Sequence, residues 1–487
     1  MSRLLAAIAA FLLLSSCAVN PVTGERQVSL VSEQDEVAIG READKEVKQE
    51  YGLYNDPVLQ AYVNEVGQKL AKQSHRSGLE WHFAVVDSPE INAFALPGGY
   101  VYITRGLMAY LDSEAELAGV LGHEIGHVTA RHGAQRQTQG TFAQGAAVLA
   151  EILGQAVLGA SGAGNVVGAL GQSLILSYGR QDELQADSLG AEYLHRTGYD
   201  PKTMIKVIDV LKKQEVFAED RAKAEGRQPQ RMPNWLSSHP SNDQRLKDIV
   251  DTANRYPARQ GMDPGRERYL QKIDGMVFGD SREQGVIRGN QFLHEPLGFA
   301  ISAPGKDWKL QNSAEALLVA NPAGDAGVIM RLVTGAGGTH DEIIRKLVKP
   351  QSGRVERTTI NGLQATHFAG TVANQQGQAA SVAITLIAHN NQQFLLQQAA
   401  KNAQALNASR DGLRAVINSF HAITAEEKKL ARPYVIRTQP LPPGRNFAAL
   451  AKESPVNHHA EPQLRLLNGY YPGGEAPAGR VIKFINQ

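Results

Sequence analysis

Cysteine is the rarest residue type in this chain of 487 residues, since Cys17 is the only cysteine. A single cysteine excludes an internal disulfide and a thiolate cluster, so a metal site must be built from His, Asp and Glu. The chain also lacks an excess of charge of either sign, since it has 50 Lys and Arg residues and 49 Asp and Glu residues. This balance gives no electrostatic reason to bind nucleic acid or an acidic membrane surface.

Long hydrophobic runs are absent as well. The longest one near the amino terminus, residues 4–14, has eleven residues, whereas a membrane-spanning helix needs about 20. With Arg3 before it and small residues after it, this run is typical of a secretion signal, which we assign to residues 1–16. The overall composition, 42% hydrophobic and 20% charged, is that of a globular protein, and the length predicts two to four domains.

The end of the predicted signal, Leu14-Ser15-Ser16-Cys17, resembles the lipobox of bacterial lipoproteins. That resemblance implies cleavage before Cys17 and lipidation of its thiol, and acyl chains anchor a protein by burying CH₂ groups. Ala18 in place of Asp implies, by similarity to enterobacterial sorting rules, the periplasmic face of the outer membrane. The alternative is an ordinary signal peptide followed by an incidental cysteine.

Periodic patterns predict an α+β protein. After a lipidated tether (residues 17–31), a predominantly helical domain with a small sheet extends over residues 32–275. Ser32 with Asp35 predicts one helix start and Asp56-Pro57 predicts another. A period of two predicts strands at Trp81–Val86, Ala93–Leu96 and Tyr100–Thr104. Residues 142–177 predict a hairpin of two apolar helices, each too short to span a membrane.

Strand patterns dominate beyond residue 275. They predict a separate α+β domain of unassigned role at residues 285–425, with a hairpin turn at Asn361-Gly362 and helices near residues 340–348 and 409–420. Residues 432–487 weakly resemble a LysM-like βααβ module, which implies contact with peptidoglycan, although the expected Gly-Asp-Thr turn is missing.

The motif that carries chemistry is His123-Glu124-Ile125-Gly126-His127. Two histidines four residues apart on a helix are about 40° apart around its axis, so both imidazoles reach one ion. Glu124 is then placed to take a proton from a metal-bound water. The alternative is a histidine pair that binds no metal.

A catalytic zinc usually has three protein ligands, and the third is less obvious. His132, nine residues after His123, falls on the opposite side of an uninterrupted helix. The metzincin spacing also fails, because Ala130 and Gly133 stand where it requires Gly and His.

Glu183 is the better candidate for the third ligand. Asp187 follows it by four residues on the same helical face, so Glu183 can bind the metal while Asp187 orients an imidazole. Taken alone, this pair is more typical of a solvated acidic face, and the His-Glu-x-x-His motif reverses that preference.

Five short motifs occur in order between residues 18 and 250. They are Asn20-Pro21-Val22-Thr23-Gly24, Asn92-Ala93-Phe94-Ala95-Leu96-Pro97-Gly98-Gly99, the His-Glu-x-x-His helix, Tyr178–Arg180 leading into Glu183-x-x-x-Asp187, and Ser238-His239-Pro240. This set resembles the HtpX-like and CAAX-prenyl-protease-like zinc metallopeptidases, and among them the periplasmic lipoprotein branch. Gly179 departs from the family, which usually has Ser there.

The resemblance implies a gluzincin fold with one Zn²⁺ per chain on His123, His127 and Glu183. It also implies that Glu124 is the general base and that Asp187 bonds to His123. His239 is similar to a family histidine near the metal, where it either stabilises the oxyanion or caps the zinc in a resting state; a structural histidine before a turn is the alternative.

Residues Asn92, Ala93, Phe94 and Ala95 are expected to form an edge strand that pairs with an extended substrate. An ordinary interior strand is the alternative. Members of the periplasmic lipoprotein branch carry helical repeats after the protease domain, whereas this chain has strands there. The partners of that branch therefore cannot be assigned to this chain.

We therefore predict a zinc metalloendopeptidase that hydrolyses misfolded or stalled envelope proteins in outer-membrane quality control. It would be a periplasmic lipoprotein with no nucleic-acid partner. The main alternative is a chaperone or assembly factor for outer-membrane proteins with secondary proteolysis, and the third is a peptidoglycan amidase.

Overall fold

The computed structural model describes residues 17–29, 31–136, 178–226, 239, 243–257, 263–313, 316–333, 338–373, 379–456 and 458–487. The predicted signal (residues 1–16) and the predicted apolar hairpin (residues 142–177) lie outside the described residues. The chain forms two compact units. The first contains the described residues up to Phe278 together with Val435–Asn486, and the second contains Gly279–Tyr434 and Gln487.

The first unit is mainly helical. Its helices are α1 (Glu33–Glu50), α2 (Pro57–Ala71), α3 (Arg105–Tyr110), α4 (Glu114–Thr129), α5 (Arg180–Thr197), α6 (Thr203–Ala224), α7 (Asp243–Asn254), α8 (Arg266–Ile273), α12 (Phe447–Ala451) and α13 (Ala460–Leu467). Its strands are β1 (Cys17–Val19), β2 (Arg26–Val28), β3 (His82–Val86), β4 (Ala93–Leu96), β5 (Tyr100–Thr104), β6 (Val277–Phe278), β18 (Tyr434–Pro440) and β19 (Val481–Asn486).

Side-chain caps explain where the helices begin. Ser32 and Asp35 form the predicted capping box of α1, and the Asp56 carboxylate accepts the backbone N–H groups of Val58 and Leu59 at the start of α2. Such caps satisfy backbone donors that have no partner within the helix. The predicted starts of α1 and α2 are confirmed.

A three-stranded sheet has the order β3-β5-β4. Strand β3 runs parallel to β5, and β4 pairs with β5 in antiparallel register, with Ala93 opposite Ile103. The bounds of β4 and β5 agree with the sequence pattern, while β3 begins one residue later than expected. Within the described ranges, β4 is an edge of this sheet.

The last segment of the chain packs with the first unit, although its sequence pattern set it apart as a module of its own. Its elements follow the expected order β18-α12-α13-β19. The sheet order β19-β18-β6 joins this segment to the residues before the second unit, and the backbone N–H of Ile436 donates to the carbonyl of Met276. The Phe447 side chain lies in its small hydrophobic core.

The second unit is an α+β structure. Its strands are β7 (Val286–Arg288), β8 (Gln291–His294), β9 (Phe299–Ser302), β10 (Lys309–Asn312), β11 (Leu317–Ala320), β12 (Ala326–Val333), β13 (Ser352–Ile360), β14 (Leu363–Ala373), β15 (Ala379–His389), β16 (Gln392–Ala400) and β17 (His421–Ala422). Its helices are α9 (His340–Val348), α10 (Ala403–Asn418) and α11 (Ala425–Leu430).

A seven-stranded antiparallel sheet, β10-β11-β12-β16-β15-β14-β13, forms the centre of this unit beside a smaller sheet, β17-β9-β8-β7. Helix α10 contributes Leu413 to the core on one face, and α9 contributes Ile343 to the core on the other. Asn361 and Gly362 adopt positive φ values between β13 and β14, so the predicted hairpin turn is confirmed. No helix among the described residues of either unit is long and apolar enough to cross a membrane.

Candidate metal centre

Helix α4 carries two histidines into the interior of the first unit. Every residue of this helix is buried, and the Ser113 side chain caps its start by accepting the backbone N–H of Glu116. One helical turn separates His123 from His127, and their Nε2 atoms lie 3.0 Å apart. The two imidazoles therefore face the same point, as expected for positions i and i+4.

Helix α5 lies close enough to α4 to add a carboxylate. Small residues make this approach possible, because a Cβ atom on Gly122 would lie 3.4 Å from the Cα of Gly190, and one on Gly126 would lie 3.0 Å from the carbonyl oxygen of Ala186. As a result, the Glu183 Oε1 atom is 3.4 Å from Nε2 of His127.

His239 completes the group from a distant part of the chain. Its Nδ1 atom lies 3.2 Å from Nε2 of His123 and 2.8 Å from Oε1 of Glu183. Among the residues that the structure describes, His123, His127, Glu183 and His239 are the set whose ligand atoms all lie within 4.8 Å of one another. All four side chains are buried.

This donor set suits zinc. A tetrahedral zinc ion with ligands at about 2.0–2.1 Å separates its ligand atoms by about 3.3 Å, and the four donor separations given above, from 2.8 to 3.4 Å, lie close to that value. Three imidazole nitrogens with one carboxylate oxygen are ligands of the kind that zinc prefers.

The protonation of the site also suits a cation. Burial raises the pKa of the Glu183 carboxyl, but the neighbouring imidazoles, His239 foremost, outweigh burial and hold that pKa well below its usual value. Burial and the neighbouring charge of His123 hold the pKa of His127 well below its usual value. A carboxylate and a neutral imidazole are the forms that bind metal.

Asp187 and Arg245 support the ligands from behind. The Asp187 Oδ1 atom lies 2.8 Å from Nδ1 of His123, on the side of the ring away from the other ligands. The Arg245 guanidinium donates to both Asp187 oxygens, at 2.5 and 2.8 Å, and lies 2.9 Å from Oε2 of Glu183. Burial raises the pKa of Asp187, but the charge of Arg245 and its hydrogen bonds lower it by more. Nothing in the sequence singled out Arg245, which is one of many arginines.

His132 lies beside the site, contrary to the expectation that it would fall on the opposite side of the helix. That expectation was wrong because α4 ends at Thr129 and Arg131 adopts φ 61°, which turns the chain out of the helical path. The Nδ1 atom of His132 is 2.9 Å from Nδ1 of His127. His132 therefore contacts the candidate ligand His127 but is not itself a member of the ligand group.

Glu124 and Tyr178 border the same group. Glu124 is fully buried, and its Oε1 lies 3.7 Å from Nε2 of His239. The Tyr178 ring stacks on the imidazole of His127 with ring centroids 3.8 Å apart, and the Arg136 guanidinium lies 4.1 Å from the Tyr178 ring. Tyr178 belonged to the family motif, but sequence reasoning gave it no role.

Strand β4 reaches the metal group at its carboxyl end. A pocket beside His127 is lined by Ala95, Leu96 and Pro97, by Val128 of α4, and by Arg131, Gly133 and Ala134 from the residues that follow this helix. Asn92 lies at the start of this strand, where its carbonyl accepts the backbone N–H and the hydroxyl of Thr104. Cys17 is the first residue of β1.

Comparison with known proteins gives matches over the same part of the chain. Residues 57–253 match the model of peptidase family M48. The chain is 32% identical over 243 residues to the beta-barrel assembly-enhancing protease of Escherichia coli (strain K12), covering 48% of this chain and 47% of that protein.

Mitochondrial relatives match as well. The chain is 32% identical to the mitochondrial metalloendopeptidase OMA1 of Arabidopsis thaliana, covering 42% of this chain and 38% of the relative. The OMA1 protein of Schizosaccharomyces pombe is 30% identical, with coverage of 47% and 65%. The chain thus spans about half the length of the curated relatives that it matches. The two histidines of α4 and Glu183 of α5 all lie inside the range that matches peptidase family M48.

Proposed function

We propose that this protein is a zinc-dependent metalloendopeptidase. The observation that carries the proposal is the buried convergence of His123, His127 and Glu183 beside Glu124. The names of the matched relatives, a protease and two metalloendopeptidases, support the same reaction class. One Zn²⁺ per chain would be held by the two imidazoles and the carboxylate.

Each side chain of the site has its own proposed role in hydrolysis. A zinc ion held by these residues would supply Lewis acidity for the scissile carbonyl and for a water molecule. Glu124 takes the proton from that water and returns it to the leaving amine. Asp187 holds the His123 ring through its Nδ1 atom, and the Arg245 guanidinium contacts both Asp187 and Glu183 in the interior.

Strand β4 is the proposed binding site for the substrate backbone. An extended peptide that adds to its edge gains main-chain hydrogen bonds, which give affinity with little sequence preference. The pocket shared by Ala95 and His127 supports this role, because it links the strand to the ligand group. Asn92, Ala93, Phe94 and Ala95 are the proposed substrate-contacting residues.

His239 is the proposed regulator of access to the zinc. Its Nδ1 atom stands among the ligand atoms, within 3.2 Å of His123, which favours the capping role over a role in stabilising the oxyanion. A substrate would then have to displace this imidazole before its carbonyl could reach the ion.

The proposed setting is the bacterial envelope. The lipobox-like sequence at Cys17 supports a lipid anchor in the outer membrane, and the name of the Escherichia coli relative supports substrates among misfolded outer-membrane proteins. Peptidoglycan contact by residues 432–487 is supported only by the order of their elements. A chaperone that uses the same cleft for holding is the alternative function.

Glu124→Gln tests the reaction. Because the amide cannot act as a base, we expect hydrolysis of casein or an unfolded porin by the purified protein to fall by about 100-fold to 10,000-fold. Zinc content should stay the same, since Glu124 lies outside the ligand group. The matched control is Glu42→Gln, on the exposed surface of α1.

Retention of full activity by Glu124→Gln would refute the proposed mechanism. A complementation test in cells separates the protease from the chaperone. A holding role predicts that Glu124→Gln restores envelope function to a deletion strain. Loss of complementation by Glu124→Gln, with normal complementation by Glu42→Gln, is the result expected of a protease.

A further inference from the structure

We propose that His132 and Gln185 are positioning residues, which hold the ring of His127 in the orientation and the tautomer that zinc requires. This inference rests on the proposed zinc site. It concerns the nitrogen of His127 that points away from the other ligands.

A chain of two hydrogen bonds connects the three side chains. Nδ1 of His127 lies 2.9 Å from Nδ1 of His132, and Nε2 of His132 lies 3.0 Å from Oε1 of Gln185. His132 is almost completely buried, so water does not compete freely for either ring nitrogen. Both distances are those of good hydrogen bonds.

The direction of each bond follows from the role of His127. Its Nε2 atom faces the other ligand atoms and must be unprotonated to bind a metal, so its proton is on Nδ1. His132 therefore accepts at Nδ1 and carries its own proton on Nε2, which donates to the amide oxygen of Gln185. This arrangement satisfies every ring nitrogen of the two histidines with one consistent set of protons.

The backbone is shaped to bring His132 to this place. Arg131 adopts φ 61°, in the left-handed region, which costs a residue other than glycine about 1 kcal/mol or more. Its guanidinium donates to Glu36 at 2.5 Å and to the carbonyl of Val31 at 2.8 Å, and these contacts hold the turn. Without the turn, His132 would continue around the helix and lose contact with His127.

Helix α5 thus supports both imidazole ligands. Asp187 binds Nδ1 of His123 directly, while Gln185, two residues earlier, acts on His127 through His132. The Tyr178 ring stacks on His127 with an interplanar angle of 21° and restricts rotation of the imidazole. An outer partner of this kind typically contributes 10-fold to 100-fold in metal affinity.

Zinc affinity of the full-length protein, measured by competition with a fluorescent chelator, tests the proposal without use of the peptidase reaction. We expect His132→Leu, which removes the acceptor for His127, to weaken zinc binding by about 10-fold to 100-fold. His132→Asn should keep most of the affinity, because its Oδ1 atom is attached to Cγ as Nδ1 is in histidine and can accept the same proton.

A second pair of variants, Gln185→Leu and Gln185→Glu, is compared in the same zinc-binding assay. This pair tests the proposal if His132→Leu does not fold. Gln185→Glu keeps an acceptor for His132, so it should bind zinc more tightly than Gln185→Leu. His75→Leu is the matched control, since His75 also hydrogen-bonds to α5, through Tyr193, but contacts no ligand. Thermal unfolding of the metal-free variants reports general loss of stability separately.

Equal zinc affinities for His132→Leu, His75→Leu and wild type would overturn the inference while leaving the proposed function intact. A wild-type protein that binds no zinc would overturn both. Weak binding by both His132→Leu and His132→Asn, with metal-free stability unchanged, would also overturn it, since a retained acceptor should rescue affinity.

Discussion

Buried charge at the candidate metal centre is balanced by individual residues. Glu183 and Asp187 are both buried carboxylates, and the Arg245 guanidinium contacts each of them. Taking a carboxylate out of water costs several kcal/mol unless a partner compensates it. Arg245 supplies this compensation with two hydrogen bonds to Asp187, a geometry that lysine cannot reproduce.

Replacement of Arg245 should therefore destabilise the metal-free protein strongly. We expect Arg245→Leu to lower the free energy of unfolding by about 3–5 kcal/mol, because two carboxylates lose their buried cation. Arg245→Lys should lie between Arg245→Leu and wild type. Urea unfolding in the presence of a chelator measures this difference, with the chelator excluding any contribution from metal binding.

The control for this prediction is Lys45→Ala, which removes an exposed ion pair with Glu42. Exposed pairs contribute at most about 1 kcal/mol. If Arg245→Leu costs no more than Lys45→Ala, the account of Arg245 is wrong.

At the scale of elements, helix α1 fixes the turn that follows β4. A Cβ atom on Gly40 would lie 1.9 Å from the carbonyl oxygen of Pro97, so the helix and the turn touch backbone to backbone. Gly98, next in this turn, adopts φ 78°, a conformation that favours glycine. This turn also borders the pocket that is lined by both Pro97 and His127.

Gly40→Ala should displace this turn. We expect a loss of about 1–3 kcal/mol in unfolding free energy, typical of an overpacked contact, despite the better helix propensity of alanine. Peptidase activity should fall with it, because the end of β4 moves relative to His127. Thermal unfolding and casein hydrolysis measure the two effects.

Gly78→Ala is the control, since a Cβ atom at Gly78 would meet no atom within 4 Å and the residue has an ordinary φ. Wild-type stability and activity in Gly40→Ala would show that the contact is not tight.

Local signals predicted many of these elements. The caps at Ser32 and Asp56, strands β4 and β5, helix α9 and the turn at Asn361-Gly362 all depend on interactions within a few residues. Helix α10 begins at Ala403, six residues before the expected position, where the Asn402 side chain caps it.

For the whole molecule, the return of the chain to its first unit is the main organising feature. Lys483, on β19, is fully buried, and its Nζ atom donates to the carbonyls of Ala109 and Leu111 at the carboxyl end of helix α3, at 2.9 and 2.6 Å. The Tyr471 hydroxyl donates to Asp220 on α6 at 2.6 Å. The last segment is therefore packed into the first unit through polar contacts as well as apolar ones.

Lys483 should make stability depend on alkaline pH. Burial lowers its pKa from the ordinary 10.5 to about 8, against the opposing charges of Asp112 and Glu116. Between these values the unfolded chain keeps a proton that the folded protein has released, so the free energy of unfolding rises with pH. A change of this size corresponds to roughly 3 kcal/mol when the whole range is crossed.

The measurement compares urea unfolding of wild type and Lys483→Met from pH 7.5 to 10.5. Wild type should gain stability relative to Lys483→Met across this range, whereas Lys452→Met, at an exposed position of the same segment, should follow wild type. Parallel pH profiles for wild type and Lys483→Met would contradict the prediction.

The amino-acid sequence by itself determined the chemistry of the candidate site. The spacing of His123 and His127 on one helix, and of Glu183 and Asp187 on another, is set by the geometry of a single helical turn. The structure then brings these four residues together, along with His239. Such short-range regularities can be read directly from the order of residues.

Only the tertiary structure decided which distant residues support that site. Arg245, the turn at Arg131 that returns His132 to His127, and the insertion of Lys483 into the first unit all depend on the packing of segments far apart in sequence. No local periodicity or cap encodes these contacts, because they arise from the mutual burial of surfaces and the pairing of charges within them.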